Sequence, residues 1–297
     1  MNKPPSTRKQ DDLDRIVAAL DAGGEIYRSR STENVRVHKK KGGDPVTDAE
    51  LEVNQLLLEM LVQDGDGWLS EESVDDEERL RCSRIWLVDP LDGTKEYVAG
   101  IPEWCISIAL MEDGRFVAGG ILNPQTDELI YGSHEIGVVC RNGPARHADM
   151  NILPREALVL ASRSEVQRGE WKRFGRASFQ VLAMGSVAYK LALVAAGKAD
   201  ATWTLVPKHE WDVAAGVALL QFARGHVLTT EGLPPSFNQT PPLFPGLVGF
   251  SAAGLERLRS FLNYVLESEK FCDCLPWVHR FAILDSEMVR KSERRRR

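Results

Sequence analysis

Apolar positions fall into two rhythms along this chain, helical spacing first and short strand-like runs later. Between residues 11 and 27, Leu13, Ile16, Val17 and Leu20 recur at helical spacing. A polar, basic stretch follows and ends in Lys39-Lys40-Lys41-Gly42-Gly43-Asp44. Thr47-Asp48-Ala49-Glu50 then opens a second helix carrying Leu51, Leu57, Leu58 and Leu61. Thr-x-x-Glu ahead of an apolar run is a capping-box pattern. From Trp104 to Arg141 the runs shorten to Cys105–Met111, Phe116–Leu122, Glu128–Tyr131 and Gly137–Arg141. Turns such as Glu112-Asp113-Gly114 and Asn123-Pro124 separate them, which predicts an antiparallel meander.

The second half alternates. Strands are expected at Ala157–Ala161, Ser178–Ala183, Ala199–Leu205, His226–Thr229 and Leu247–Phe250. Helices are expected from Gly185-Ser186 through Ala195, over Asp212–Phe222, and from Leu255 to Leu266. Helices followed by antiparallel strands make the first half α+β, and strand–helix alternation makes the second α/β. A boundary near Asn151–Pro154 divides the chain into residues 1–151 and 152–270, leaving a tail of 271–297. Pro234–Pro245 reads as a proline-rich surface loop. No internal repeat is evident.

Composition narrows the class. The 297 residues are enough to bury a large core, and 43% hydrophobic with 27% charged residues is ordinary for a globular protein. The net charge of −6 argues against a general grip on nucleic acid, but not against small anions, because a bound cation can invert the local field. An odd, scattered set of five cysteines points to reduced thiols and a cytoplasmic home. Cys272 and Cys274 are too closely spaced for a zinc pair. No apolar run reaches the length of a membrane span, and the first residues lack the apolar core of a signal peptide. The terminal Arg294–Arg297 run reads as a solvated end with, at most, non-specific affinity for polyanions.

The candidate chemistry centres on Ile85-Trp86-Leu87-Val88-Asp89-Pro90-Leu91-Asp92-Gly93-Thr94. Asp-Pro and Asp-Gly form turns, which is one reading. The other is a cradle for hard cations. Asp89 and Asp92 would point the same way, with the Leu91 carbonyl as a third oxygen between them. Gly93 permits close backbone approach, and Thr94 offers a hydroxyl. Glu71 and Glu72 follow Trp68-Leu69, so they either face inward or belong to the solvated acidic run beyond them. Asp212 is either the N-cap of its helix or another ligand, and Ala214, Ala215 and Gly216 would let that helix pack closely on a neighbour. Gly185-Ser186 before a helix is either an anion site or a plain helix start. Ser162-Arg163-Ser164 is either a phosphate site or a simple loop. No Gly-x-Ser-x-Gly, P-loop or dinucleotide fingerprint occurs. Oxygen ligands without His or Cys favour Mg²⁺ or Mn²⁺ over zinc.

Taken together, these residues resemble the inositol monophosphatase superfamily of Mg²⁺-dependent, lithium-sensitive phosphatases. Residues 89–94 meet its Asp-Pro-(Ile/Leu)-Asp-Gly-Thr motif, Glu71-Glu72 its Glu-Glu motif, and residues 211–216 its Trp-Asp-x-Ala-(Ala/Gly)-Gly motif. Residues 69–72, 89–97, 162–164 and 185–190 look most like the 3′(2′),5′-bisphosphate nucleotidase branch, which removes the 3′-phosphate of adenosine 3′,5′-bisphosphate. The resemblance implies a layered α-β-α-β-α sugar-phosphatase fold with an antiparallel first sheet and a mixed second one. It implies a first metal held by Glu71, Asp89 and the Leu91 carbonyl, and a second by Asp89, Asp92 and Asp212. A third, looser Mg²⁺ is expected near Glu71. A water oriented by Glu71 and Thr94 would attack phosphorus in line, with the Gly93 and Thr94 amides on phosphate oxygens. Ser162, Arg163, Gly185, Ser186 and Lys190 would contact the substrate, and Lys40 matches a family lysine near the metals.

Two departures stand out. Glu50 replaces the family's aspartate after Val-Thr, and the capping box already accounts for it. The segment Thr202-Trp203-Thr204-Leu205-Val206-Pro207-Lys208 lacks the acid that inositol monophosphatases use for inositol hydroxyls. The rival activities are inositol-1-phosphatase and fructose-1,6-bisphosphatase, and the rival class is a non-catalytic metal- or nucleotide-binding module. The expected partner is a small phosphorylated substrate, with neither membrane nor nucleic-acid polymer. The family is commonly homodimeric.

Overall fold

The computed structural model of the protein describes residues 5–30, 37–39, 45–75, 77–142, 157–174 and 179–258. Lys40, the 151 boundary, Cys272, Cys274 and the basic tail lie outside them. Helix α1 (Pro5–Arg28) leads to the antiparallel pair β1 (Val37–Lys39) and β2 (Pro45–Thr47). Helix α2 (Asp48–Leu61) starts as its sequence predicts: Thr47 Oγ1 accepts the Glu50 amide at 3.2 Å, and the Glu50 carboxylate accepts the Thr47 amide. Six strands make the first sheet: β3 (Asp66–Ser70), β4 (Arg84–Asp92), β5 (Cys105–Glu112), β6 (Arg115–Asn123), β7 (Glu128–Ser133) and β8 (Gly137–Arg141). They run in sequence order. The expected meander is β5 to β8, and only the β3–β4 pair is parallel. Helix α3 (Thr94–Val98) follows β4 directly.

Beyond it, β9 (Ala157–Ser162), α4 (Arg163–Gln167), β10 (Phe179–Met184), α5 (Val187–Ala195) and β11 (Ala201–Thr204) alternate, and β12 (Lys208–His209) precedes α6 (Glu210–Phe222). Strands β13 (His226–Thr229), β14 (Leu243–Phe244) and β15 (Leu247–Phe250) follow among the described residues. The second sheet has the order β10-β9-β11-β15-β13. Its first three strands are parallel and β15 is antiparallel to both neighbours, so it is mixed. A helix follows over 252–258, and the rest of the expected Leu255–Leu266 helix lies outside the described residues.

The layers follow from side-chain alternation. Trp86, Val88, Ile106 and Ile108 face α1 and α2, where Ile16, Leu20 and Leu57 are buried. Ile85, Leu87, Cys105 and Ala109 face the other way, onto α5 and α6. Those helices also cover Leu158 and Leu160 of β9. Val159, Trp203 and Val248 of the second sheet instead meet Trp171, Phe174 and Leu255 on its outer side. The result is α-β-α-β-α, with α5 and α6 as a central layer shared by both sheets. The two helices approach closely because Gly216 has no side chain: a Cβ there would lie 2.4 Å from the Leu191 Cβ. The proline-rich stretch is not only a surface loop. Phe237 and Phe244 are buried from it against Phe116, with ring centroids 4.8 Å and 5.0 Å apart in series, and β14 pairs with β12.

Candidate active site

Strand β4 is buried over eight of its nine residues, and only Asp92 at its end is half-exposed. Residues three apart on a regular strand point to opposite faces. Here Asp89 pairs with Ser107 and Asp92 with Cys105, so three steps on β4 span two on β5. That β-bulge puts Asp89 and Asp92 on one face, the face toward α5 and α6. Pro90 sits within it, where no ladder amide is needed. Asp89 Oδ1 accepts the Leu91 amide at 2.9 Å. The turn and the delivery of two carboxylates are thus one feature. Gly93 continues the turn with φ +100°, and a Cβ there would meet the Glu103 carbonyl and the Trp104 Cβ at 3.0 Å each, so a side chain is excluded twice over.

Two other elements bring acids to the same point. The turn after β3 is held by Ser70 Oγ donating to Asn54 Oδ1 at 2.6 Å, and by Asn54 Nδ2 and Trp68 Nε1 donating to Ser73 Oγ at 3.2 Å and 3.0 Å. It presents Glu71. Helix α6 presents Asp212 from its third position, where Asp212 Oδ2 accepts the His209 amide at 3.0 Å; the N-cap is His209, not Asp212. Carboxylate oxygens of Glu71, Asp89 and Asp212 all lie within 4.8 Å of one another. Burial, reinforced by Glu71, Asp92 and Asp212, pushes the Asp89 carboxyl well above its ordinary range. Burial, with Asp92 and Glu71 adding to it, pushes Asp212 up to about 7. Ser107, opposite Asp89, is fully buried, and its Oγ has no partner among the described residues. Like charges crowded around an all-oxygen cluster suit a hard divalent cation, which would relieve the repulsion that the fold otherwise carries. Glu72 and Asp92 are outside this trio. Asp92 Oδ2 instead accepts Ser186 Oγ and the Ala188 amide, each at 2.6 Å, so part of this carboxylate fastens the start of α5.

A cavity of about 260 Å³ opens above the acids. On one wall Thr94 Oγ1 donates to Glu50 Oε1 at 2.9 Å, with the Leu91 carbonyl at 3.3 Å. Glu50 therefore serves the helix cap and Thr94 at once, and burial raises its carboxyl to about 7. On the opposite wall the Gly185 amide donates to Glu103 Oε2 at 2.7 Å, and Arg163 is ion-paired with that same oxygen. The Gly185 amide and the Ser186 hydroxyl, expected to await a substrate anion, thus already hold carboxylates of the chain. Lys190 is buried. Its ammonium donates to the carbonyls of Met184, Gly185 and Ser186 at 3.3, 3.0 and 2.8 Å, and burial lowers its pKa to about 8. Ser162 and Ser164 bond each other at 3.1 Å on the rim. Half-buried Lys208 also lines the cavity, near enough to Asp212 to lower that carboxyl's pKa, and its side chain has no hydrogen bond among the described residues. Sequence reasoning did not single out Glu103. It follows Ile101-Pro102 in a loop with no motif, and only the folded chain places it beside Arg163.

The inositol monophosphatase family model matches residues 9–255. The chain belongs to the inositol monophosphatase family. It is 33% identical over 229 residues to an inositol-1-monophosphatase of Mesorhizobium japonicum, covering 73% of this chain and 84% of that one. It is 32% identical over 209 residues to a 3′-phosphoadenosine 5′-phosphate phosphatase of Mycobacterium leprae, covering 66% and 73%. Among solved structures it resembles the extragenic suppressor protein SuhB of Bartonella henselae, at 26% identity and a TM-score of 0.66 over 84% of this chain and 97% of that one. Family membership makes this inositol monophosphatase family protein a metal-dependent phosphatase of small phosphorylated substrates. No helix among the described residues is long and apolar enough to cross a membrane.

Proposed function

We propose that this protein is a Mg²⁺-dependent phosphomonoesterase that removes the 3′-phosphate of adenosine 3′,5′-bisphosphate. The observation that carries the reading is the convergence of Glu71, Asp89 and Asp212 beneath a cavity that a cation, Lys208, also lines, with no acid in the preceding segment from Thr202 to Pro207. Glu71, Asp89, the Leu91 carbonyl, Asp92 and Asp212 would hold the cations. Bound there, Mg²⁺ supplies Lewis-acid neutralisation of the phosphate and of the departing alkoxide. The chain does the rest. Thr94 directs its proton to Glu50, so its oxygen faces an incoming water as an acceptor. Glu71 orients the same water, and the Gly93 and Thr94 amides receive phosphate oxygens. Lys190 holds the Gly185-Ser186 turn through three carbonyls, which keeps that wall in place. A second phosphate on the substrate would meet Lys208.

The competing reading is inositol-1-phosphatase, favoured by the Mesorhizobium relative. Inositol offers hydroxyls, which call for acceptors, whereas a bisphosphate calls for a cation. The test is kcat/KM for adenosine 3′,5′-bisphosphate, inositol 1-phosphate and fructose 1,6-bisphosphate, with wild type and Lys208→Glu. The nucleotide should be preferred, and the variant should lose about tenfold more on it than on inositol 1-phosphate, a difference of about 1.4 kcal/mol, since any effect through Asp212 is common to both substrates. A wild-type preference for either sugar phosphate would reject the nucleotide assignment.

A further inference from the structure

Glu71 and Asp212 come from elements far apart in the chain, and one buried side chain joins the segments that carry them. Arg79 lies on a single 3₁₀ turn, Glu78–Arg81, and is 2% exposed. Its Nε and Nη2 donate to the Asp75 carboxylate at 3.0 Å and 2.7 Å, closing the acidic loop that begins at Glu71. Its Nη2 also donates to the Gln239 carbonyl at 2.9 Å, and its Nη1 donates to Asn238 Oδ1. The amides of Asn238 and Gln239 in turn donate to the fully buried Glu210 carboxylate at 2.7 Å and 2.8 Å. Glu210 opens α6, two residues before Asp212. Strand β3 is locked to the same turn: a Cβ on Gly67 would lie 3.0 Å from both Cα and Cβ of Arg79.

We infer that Arg79 is a positioning residue for the divalent-cation site, setting the separation between Glu71 and Asp212. The physical reason is preorganisation. Three like-charged carboxylates would spread apart if free, and a cation binds them tightly only if the fold holds them close. A planar guanidinium whose donors reach a loop on one side and another loop on the other can hold that separation. A lysine ammonium cannot reproduce the fork. Outer groups that orient ligands are worth about 10- to 100-fold in metal affinity when lost. The inference rests on the proposal that these acids bind the cation.

The test is calorimetric titration of Mg²⁺ and Mn²⁺ into wild type, Arg79→Lys, Arg79→Gln, Asp75→Asn and Arg84→Lys, with thermal melts of each protein without added metal. Arg84 is the control. It is equally buried and paired with Asp12, Asp66 and Glu112, but sits at the opposite end of β4 from Asp89. Both Arg79 variants should bind the cations about tenfold or more weakly. Asp75→Asn, which opens the clamp at its more exposed end and keeps a measurement in hand should the buried variants not fold, should shift in the same direction. Arg84→Lys should lower the melting temperature yet bind within twofold of wild type. Unchanged affinity in the folded clamp variants, or an equal loss in Arg84→Lys, would overturn the role of Arg79. A wild type that binds neither cation would instead overturn the metal site itself.

Discussion

Asp89 is the residue on which the site turns, and its chemistry has two opposite consequences. It is 1% exposed and pushed toward its neutral form by burial and by three neighbouring acids. Without a cation it destabilises the fold at neutral pH. Asp89→Asn should therefore raise the melting temperature of metal-free protein while lowering phosphatase activity on the order of 10²–10³-fold. Activity assays and metal-free melts on one preparation check both directions, and a variant that melts lower would contradict the crowding argument. Asp212 adds a pH dependence. Its folded pKa is raised from 3.8 to about 7, so the stability contributed by its held proton is full below about 3.8 and lost as pH rises through about 7. Metal-free protein should melt lower at pH 8 than at pH 6, and saturating Mg²⁺ should flatten that slope. These acids were legible in the sequence because carboxylates closing an apolar run conflict with burial unless something charged meets them. The allocation of individual oxygens was not legible. Asp92 divides itself between the site and α5, a helix far along the chain whose start no local pattern ties to it.

The β4 bulge and the turn behind it decide which side of the sheet becomes a site. Gly93 lies at a φ that favours glycine and beneath backbone atoms that cannot retreat. Gly93→Ala should cost about 1–3 kcal/mol of stability and abolish activity, since the strain acts on the residues linking Asp92 to Thr94. Denaturant unfolding together with a phosphate-release assay checks it, and an active, equally stable variant would mean that the turn is more pliable than its contacts imply. The longer strands and helices were legible from their period and turn residues. Missed were short elements, among them β1, β2, the five-residue β3, the 3₁₀ turn of Arg79, α3, α4, and the two-residue strands β12 and β14. The proline-rich stretch misled because its prolines read as surface while Phe237 and Phe244, spaced without a period, are core.

At the scale of the whole molecule, the site is where the first sheet, α6 and the start of α5 converge. Helices α5 and α6 cover both sheets, so a cation held by Asp212 at the start of α6 would be coupled to the packing of both. Mg²⁺ at about 100 times its Kd should stabilise the protein by about 2.7 kcal/mol. The effect should appear as one cooperative transition moved upward rather than as a new transition, and calorimetry distinguishes the two. A low-temperature transition untouched by the cation would show the halves to be energetically separate. The layered plan followed from the change of pattern in mid-chain together with the family motifs. The sharing of the central helix layer did not, because hydrophobicity all round a helix says that it is buried, not by what.

The carboxylate of Glu103 has a consequence for selectivity. An anion reaching Arg163 and the Gly185 amide finds a tenant there, so binding is an exchange, and its gain is the difference between two similar ion pairs. A lone sulfate or phosphate ion profits little from such an exchange. A ligand anchored elsewhere in the cavity can meet the cost with its other contacts. At this wall, though not at the acid cluster opposite, the resting contacts thus disfavour a small anion that brings no other hold on the cavity.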